Sequence, residues 1–171
     1  MVHVANTGRM RELFLPQNPM YLASVASSAH RKTSFDLTLV EYNGVLVSAD
    51  SRLPNRLVRE AIESGKLAEF TDYPTVTPEV TFHDSRIDLL VSGPAGSLYL
   101  EAKSVNLVED GTAQFPDAPT ERGRKHLLTL MKAIEDGHRA SVVFVVQRPD
   151  ADRFSPHKGA DPAFADTLRQ A

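Results

Sequence analysis

Two stretches of this chain alternate hydrophobic and polar residues with a period of two, the pattern of strands that bury one face. They cover residues 85–91 and 98–104, and a short break containing Gly and Pro joins them. The arrangement predicts a pair of neighbouring strands. Glu101 and Lys103 then share one face of the second strand, while Asp88 lies on the polar face of the first. If the two polar faces coincide, these three side chains converge on one small volume.

Periodicity and turn residues also predict the other elements. Asn43 and Gly44 suit the two positive-φ positions of a type I′ turn, so residues 35–42 and 45–49 are predicted to form a β-hairpin. From residue 53 the predicted order is helix, three strands, helix, strand and helix, an α-β-β-β-α-β core. The remaining predicted segments are a strand at 20–27, a helix at 53–64, a connector at 71–78, a strand at 79–82, an ordered or mobile loop at 113–119, a helix capped by Thr120 and ended by Gly137, an interior strand at 140–147, a turn at 153–156 and a helix starting at 161.

Composition limits the class of protein. The chain has 171 residues, of which 42% are hydrophobic and 24% charged, so it has enough material for a globular core. It contains no cysteine, which excludes disulfides and thiolate chemistry. No apolar run approaches a membrane span, no signal-peptide pattern begins the chain, and we therefore expect a cytoplasmic protein with no membrane partner. The net charge of −3 means that any binding of nucleic acid must use a local basic patch.

The polar residues of the strand pair indicate metal chemistry. Two carboxylates, Asp88 and Glu101, can hold Mg²⁺ or Mn²⁺, which prefer oxygen ligands. Lys103 beside the cation can orient the attacking water or neutralise charge on a phosphate. This Asp…Glu-x-Lys pattern resembles the catalytic site of restriction-endonuclease-like nucleases. Surface charges on an edge strand are the alternative interpretation of the same pattern. Glu60 also has two interpretations: an acid that faces this site, as in related nuclease folds, or a solvated residue of the first predicted helix.

Basic side chains are concentrated in two places. Arg122, Lys125 and His126 lie near the start of the second predicted helix, where backbone N–H groups also favour an anion. A basic edge on the N-terminal β segment can be formed by Arg9, Arg11, Arg31 and Lys32. Contact with DNA phosphates and plain solvation explain these patterns equally well.

Several longer segments resemble one family, that of sugar fermentation stimulation protein A. The most specific segment is FPDAPTERGRKHL at residues 115–127, and the similarity extends over nearly the whole chain. The other matching segments are NTGRM at 6–10, NRL at 55–57 with EA at 60–61, SRID at 85–88, EAKSV at 101–105 and RFSP at 153–156.

The resemblance implies a mixed α/β protein in two domains. Residues 1–50 would be part of an OB-like β-barrel, and residues 51–171 a restriction-endonuclease-like domain of the PD-(D/E)xK type. It also implies DNA binding with little sequence preference, and it adds Arg56 to the candidate DNA contacts. Family members usually begin some tens of residues earlier and finish with another strand, so we expect the chain to lack both ends of the family's fold.

Two functions fit these observations. The first is a DNA-binding protein with a Mg²⁺-dependent nuclease site formed by Asp88, Glu101 and Lys103. The second is a non-catalytic DNA-binding regulator of sugar (maltose) metabolism, in which that site is vestigial. A small-molecule enzyme has no support, because the sequence contains no phosphate loop, dinucleotide fingerprint or nucleophile motif. Assembly into a homo-oligomer stays open.

Overall fold

The N-terminal part of the chain is a small β-sheet organised around one central strand. The computed structural model describes residues 1–6, 8–26 and 31–171. The central strand β3 (Phe35–Tyr42) pairs antiparallel with β2 (Met20–Ser24) and with β4 (Val45–Ser48), and its start pairs parallel with β1 (Val2–His3). The predicted strand at 20–27 is shorter than expected, and its last residue, Ser27, lies outside the described residues.

This sheet has an apolar core of its own. The core consists of Met10, Leu13, Leu37, Val40, Val47 and Ala49. The predicted hairpin is confirmed, because Asn43 and Gly44 connect β3 to β4 with φ angles of +52° and +77°.

The helix α1 (Leu53–Glu63) follows the sheet and begins with Pro54 in its first turn. Its buried residues are Pro54, Val58 and Ile62, which are spaced four apart and therefore lie on one row of the helix. Leu57 is apolar but 40% exposed, so it does not belong to the buried row. The helix buries a single narrow row against the sheet, and position 57 lies beside that row.

The second sheet has the strand order β10-β7-β6-β5. Its first three strands in the chain are antiparallel neighbours: β5 (Thr75–Phe82), β6 (Ser85–Gly93) and β7 (Gly96–Val105). The predicted connector at 71–78 is wrong in its second half, because β5 already begins at Thr75. Pro78 is tolerated there because β5 is an edge strand, where one row of backbone N–H groups needs no partner.

The strand β10 (Arg139–Val146) pairs parallel with β7 and forms the other edge of the sheet. The prediction of an interior strand is therefore wrong. The unbroken apolar sequence of β10 has a different cause, because its side chains contact the core on both faces of the sheet. Val143 and Val145 lie on one face, and Ala140 and Val142 on the other.

Helices cover both faces of the second sheet. Val58 and Ile62 of α1 pack with Leu89 and Leu100 on one face. On the other face, Tyr99 packs against α2 (Glu121–Glu135), and α3 (Pro162–Gln170) lies against α2. The predicted α-β-β-β-α-β order is confirmed. Among the helices within the described ranges, none has the length and apolar character needed to cross a membrane.

A third, smaller sheet is built on a hairpin that lies between β7 and α2 in the chain. The hairpin of β8 (Leu107–Glu109) and β9 (Thr112–Phe115) is extended by β11 (Arg153–Pro156), which pairs parallel with β9. Residues 113–115 and 153–156 were predicted as loop and turn, and both predictions are wrong. The two strands are about forty positions apart in the chain, so no local pattern reveals their pairing.

Candidate active site

The site begins where β6 and β7 separate. Their pairing ends with Leu89 opposite Leu100, and the next position on each strand is Asp88 and Glu101. The Asp88 side chain then replaces a strand partner, because its Oδ2 accepts the backbone N–H of Ala102 at 2.9 Å. The backbone N–H of Asp88 lies 3.4 Å from Oε2 of Glu101. The two carboxylates are therefore neighbours on the same face, as the sequence predicted.

The first helix contributes Asn55 to this site, a residue that sequence reasoning did not single out. Its side-chain amide donates to Oδ1 of Asp88 at 2.7 Å. The sequence signal that could have pointed to Asn55 is its place in the NRL segment at 55–57, which resembles the family. Glu60 does not reach the site: it is exposed and lies 3.5 Å from Arg56 in an ion pair along α1. The interpretation of Glu60 as an acid of this site is therefore wrong.

Glu101 is the most enclosed member of the site, with only 2% of the residue exposed. Its Oε1 accepts from Lys103 Nζ at 2.5 Å and also bonds the Nδ1 atom of His126. Burial raises the pKa of Glu101, but the hydrogen bond from His126 and the charge of Lys103 outweigh burial. The net pKa is lowered, so Glu101 is ionised at neutral pH.

His126 is placed differently from the prediction, which grouped it with exposed basic residues of the helix end. It is 5% exposed and points towards Glu101. The reason is helical spacing: position 126 lies on the inward stripe of α2 with Gly123, Leu127 and Leu130, all of which are buried.

The donor set fits a hard divalent cation. Burial, and then the charge of Glu101, raise the pKa of Asp88 above its usual value, so ionised Glu101 opposes the ionisation of Asp88. A cation between them would relieve that repulsion. Within the described ranges, no group of three or more acidic or histidine side chains forms a ready-made metal cage. Two carboxylates without such a cage suit Mg²⁺, which retains waters and takes further ligands from a substrate phosphate.

The acidic residues open into a cleft of about 320 Å³. Its walls come from both parts of the chain, with Asn6 and Gly8 on the N-terminal side and the loop at 115–120 on the other. Asp117 of that loop ties the two walls together, because its Oδ2 accepts the backbone N–H groups of Arg9 and Met10 at 2.7 and 3.2 Å.

The basic residues predicted to contact DNA lie at different distances from this cleft. Arg122 is exposed and lines it, whereas Lys125 is exposed but donates to the backbone carbonyl of Asp84 at 2.9 Å. Arg9 and Arg11 are exposed on the N-terminal segment. Arg56, also exposed, pairs with Glu60 on α1. Contact of any of them with DNA stays a prediction.

The second sheet and its acidic cleft belong to a restriction-endonuclease-like domain, which is joined here to an OB domain. Residues 52–171 match the family described as Sugar fermentation stimulation protein RE domain, and residues 1–49 match the SfsA N-terminal OB domain. The chain belongs to the sugar fermentation stimulation protein (SfsA) family, which confirms the predicted family and fold class.

Relatives of this chain are similar over almost its entire length. A sugar fermentation stimulation protein homolog of Desulforamulus reducens is 45% identical over 169 residues, which are 99% of this chain and 70% of that protein. The homolog of Moorella thermoacetica is 44% identical over 169 residues, 98% of this chain and 73% of that protein. The structure of Pyrococcus furiosus SfsA in complex with Ca²⁺ matches with a TM-score of 0.91 and 33% identity, over 98% of this chain and 71% of the other.

Proposed function

We propose that this protein binds the DNA backbone with little sequence preference and hydrolyses phosphodiester bonds with the help of Mg²⁺ or Mn²⁺. The observation that carries the proposal is the convergence of Asp88, Glu101 and Lys103 at one cleft lined by both parts of the chain. The Pyrococcus furiosus relative is in complex with Ca²⁺, which supports a divalent cation as a ligand of this chain as well. A DNA partner also implies a cytoplasmic location.

Asp88 and Glu101 would hold the cation, which supplies Lewis-acid polarisation of the phosphodiester. Asn55 and the backbone N–H of Ala102 keep the Asp88 carboxylate in one orientation. Lys103 Nζ lies against Glu101, where an ammonium group stabilises negative charge that develops on a phosphate during attack by water. Arg122, which lines the same cleft, would hold a phosphate of the bound strand.

A second candidate is the non-catalytic DNA-binding regulator of sugar metabolism. One observation favours it: Lys103 and His126 both bond the same oxygen of Glu101, so part of the carboxylate is already neutralised within the protein. Such an internal ion pair leaves less negative charge on Glu101 to attract a cation. DNA binding through backbone phosphates is common to both candidates.

Cleavage assays on single- and double-stranded DNA separate the two functions. We expect Mg²⁺- or Mn²⁺-dependent cleavage that EDTA abolishes and that Asp88→Ala removes. Asp152→Ala is a suitable control, because Asp152 is an exposed acid of another loop. Salt-dependent binding without cleavage under any of these conditions would favour the regulator. If the unmodified protein neither binds nor cleaves DNA, both candidate functions are contradicted.

A further inference from the structure

His126 is a buried side chain whose two ring nitrogens both have partners. Nδ1 bonds Oε1 of Glu101, and Nε2 lies 3.5 Å from the Nε atom of Arg122. The residue is 5% exposed, so it is poorly placed to touch a DNA strand along the protein surface. These contacts put His126 between a residue that lines the cleft and a candidate metal ligand.

The partners of His126 determine its tautomer. The Nε atom of an arginine always carries hydrogen and can only donate, so Nε2 of His126 must be the acceptor. In the neutral ring the proton then lies on Nδ1, which donates to Glu101. Lys103 Nζ lies 3.4 Å from the same Nδ1, and both groups direct their hydrogens towards Oε1 of Glu101.

We propose that His126 is a positioning residue for the metal ligand Glu101, and that Arg122 fixes the tautomer in which it acts. This inference rests on the proposed function, because it assigns a role within the same metal site. With Oε1 held by His126 and Lys103, the carboxylate is oriented so that Oε2 lies on the side of Asp88. That is the oxygen available to share a cation with Asp88.

Hydrogen bonds of this kind orient metal ligands and raise metal affinity, typically by about 10- to 100-fold. The hydrogen bond to His126 also gives Arg122 a role besides contact with phosphate. Only its Nε atom is engaged with His126, and among the residues that the structure describes its terminal nitrogens form no hydrogen bond. A phosphate held by those terminal nitrogens would therefore be connected to Glu101 through His126.

Two substitutions of similar polarity separate the two ring nitrogens. His126→Asn places an amide N–H near the position of Nδ1 and keeps a donor for Glu101. His126→Gln is longer, reaches the position of Nε2 instead and keeps the partner of Arg122. Lys132→Ala is the matched control, because Lys132 is exposed on the same helix and lies outside the cleft.

The experiment is a calorimetric titration of each folded variant with Mn²⁺, with DNA binding measured separately in EDTA by fluorescence anisotropy. We expect His126→Gln to bind Mn²⁺ about 10- to 100-fold more weakly than the unmodified protein. His126→Asn should keep most of the Mn²⁺ affinity, and Lys132→Ala all of it. DNA affinity in EDTA should be unchanged in all three variants. Melting curves establish that each variant is folded.

Equal Mn²⁺ affinity in His126→Gln and the unmodified protein would overturn the positioning role alone and leave the proposed function intact. Equal losses in His126→Asn and His126→Gln would overturn it as well, since only the former keeps the donor to Glu101. Weaker DNA binding in EDTA with unchanged Mn²⁺ affinity would assign His126 to phosphate contact. A failure of the unmodified protein to bind Mn²⁺ would overturn the metal site itself.

Discussion

Asp117 accepts the backbone N–H of Arg9 at 2.7 Å, although the two residues are 108 positions apart in the chain. The same carboxylate oxygen accepts the N–H of Met10 at 3.2 Å. These bonds join the N-terminal segment of the OB domain to the loop that follows β9, directly beside the acidic cleft. One carboxylate therefore connects the two walls of the cleft at residues 9 and 10.

Asp117→Ala should loosen the N-terminal segment, because two backbone donors lose a charged acceptor. We expect a loss of about 1–3 kcal/mol in the free energy of unfolding. Hydrogen exchange should become faster at residues 8–13 and stay unchanged in β6 and β7. Gly8→Ala should have a similar regional effect, since a methyl group there would lie 2.8 Å from Oδ2 of Asp117. If residues 8–13 exchange at the same rate in Asp117→Ala as in the unmodified protein, other contacts hold the two walls of the cleft together.

The raised pKa of Asp88 predicts a gain in stability when its charge is removed. Burial and the charge of Glu101 raise this pKa above 3.8, so ionised Asp88 opposes folding at neutral pH. Its contribution is favourable below the unfolded pKa and is lost as the pH rises through the folded one. Asp88→Asn should therefore have a higher melting temperature than the unmodified protein at neutral pH, and this difference should shrink as the pH falls towards 3.8.

Asp150 provides a control of opposite sign for that experiment. The hydrogen bond from Arg148 lowers the pKa of Asp150, so its ionised form stabilises the fold at neutral pH. This contribution is present above the unfolded pKa and is lost as the pH falls through the folded one. Asp150→Asn should accordingly lower the melting temperature at neutral pH. A lower melting temperature in Asp88→Asn as well would contradict the proposed repulsion between Asp88 and Glu101.

Local pattern predicted the parts of this fold that depend on neighbouring residues. Strand parity was enough to bring Asp88, Glu101 and Lys103 to one face, and Asn43 with Gly44 was enough to locate a hairpin. These features follow from the two-residue period of a strand and from the φ angles of two turn positions.

The sequence pattern did not predict which distant segments pair with one another. The edge position of β10 and the pairing of β9 with β11 depend on which strands meet, and no local periodicity encodes that choice. His126 was misplaced for a related reason. Its polar side chain suggested solvent, whereas its spacing from Leu127 and Leu130 places it inward, where Glu101 supplies the partner that makes burial possible.

Lys103→Ala should separate catalysis from binding. The ammonium group bonds Glu101 at 2.5 Å and lines the acidic cleft. We expect DNA affinity in EDTA to be unchanged, while cleavage in Mg²⁺ falls by about 10²- to 10⁴-fold, the usual contribution of a positioned catalytic group. Lys66→Ala, at an exposed position after α1, serves as the control. If Lys103→Ala cleaves DNA as fast as the unmodified protein, Lys103 is not a catalytic residue.

Arg122 and Lys125 should differ in their contribution to DNA binding, although both are exposed near the start of α2. Arg122 lines the cleft, whereas Lys125 donates to the carbonyl of Asp84 and lies 3.0 Å from its carboxylate. A phosphate must displace those bonds to reach Lys125. Arg122→Ala should therefore weaken binding more than Lys125→Ala, by the same factor for unrelated sequences.

Salt dependence provides the quantitative measurement of that difference. Each phosphate contact that is lost removes about 0.9 from the slope of log affinity against log salt concentration for duplex DNA. Arg122→Ala should lower the slope by roughly this amount, and Lys125→Ala by less. Anisotropy titrations over a salt series, on two duplexes of unrelated sequence, measure both quantities. An unchanged slope in Arg122→Ala would place the DNA path away from this helix end, and a loss confined to one sequence would contradict backbone recognition.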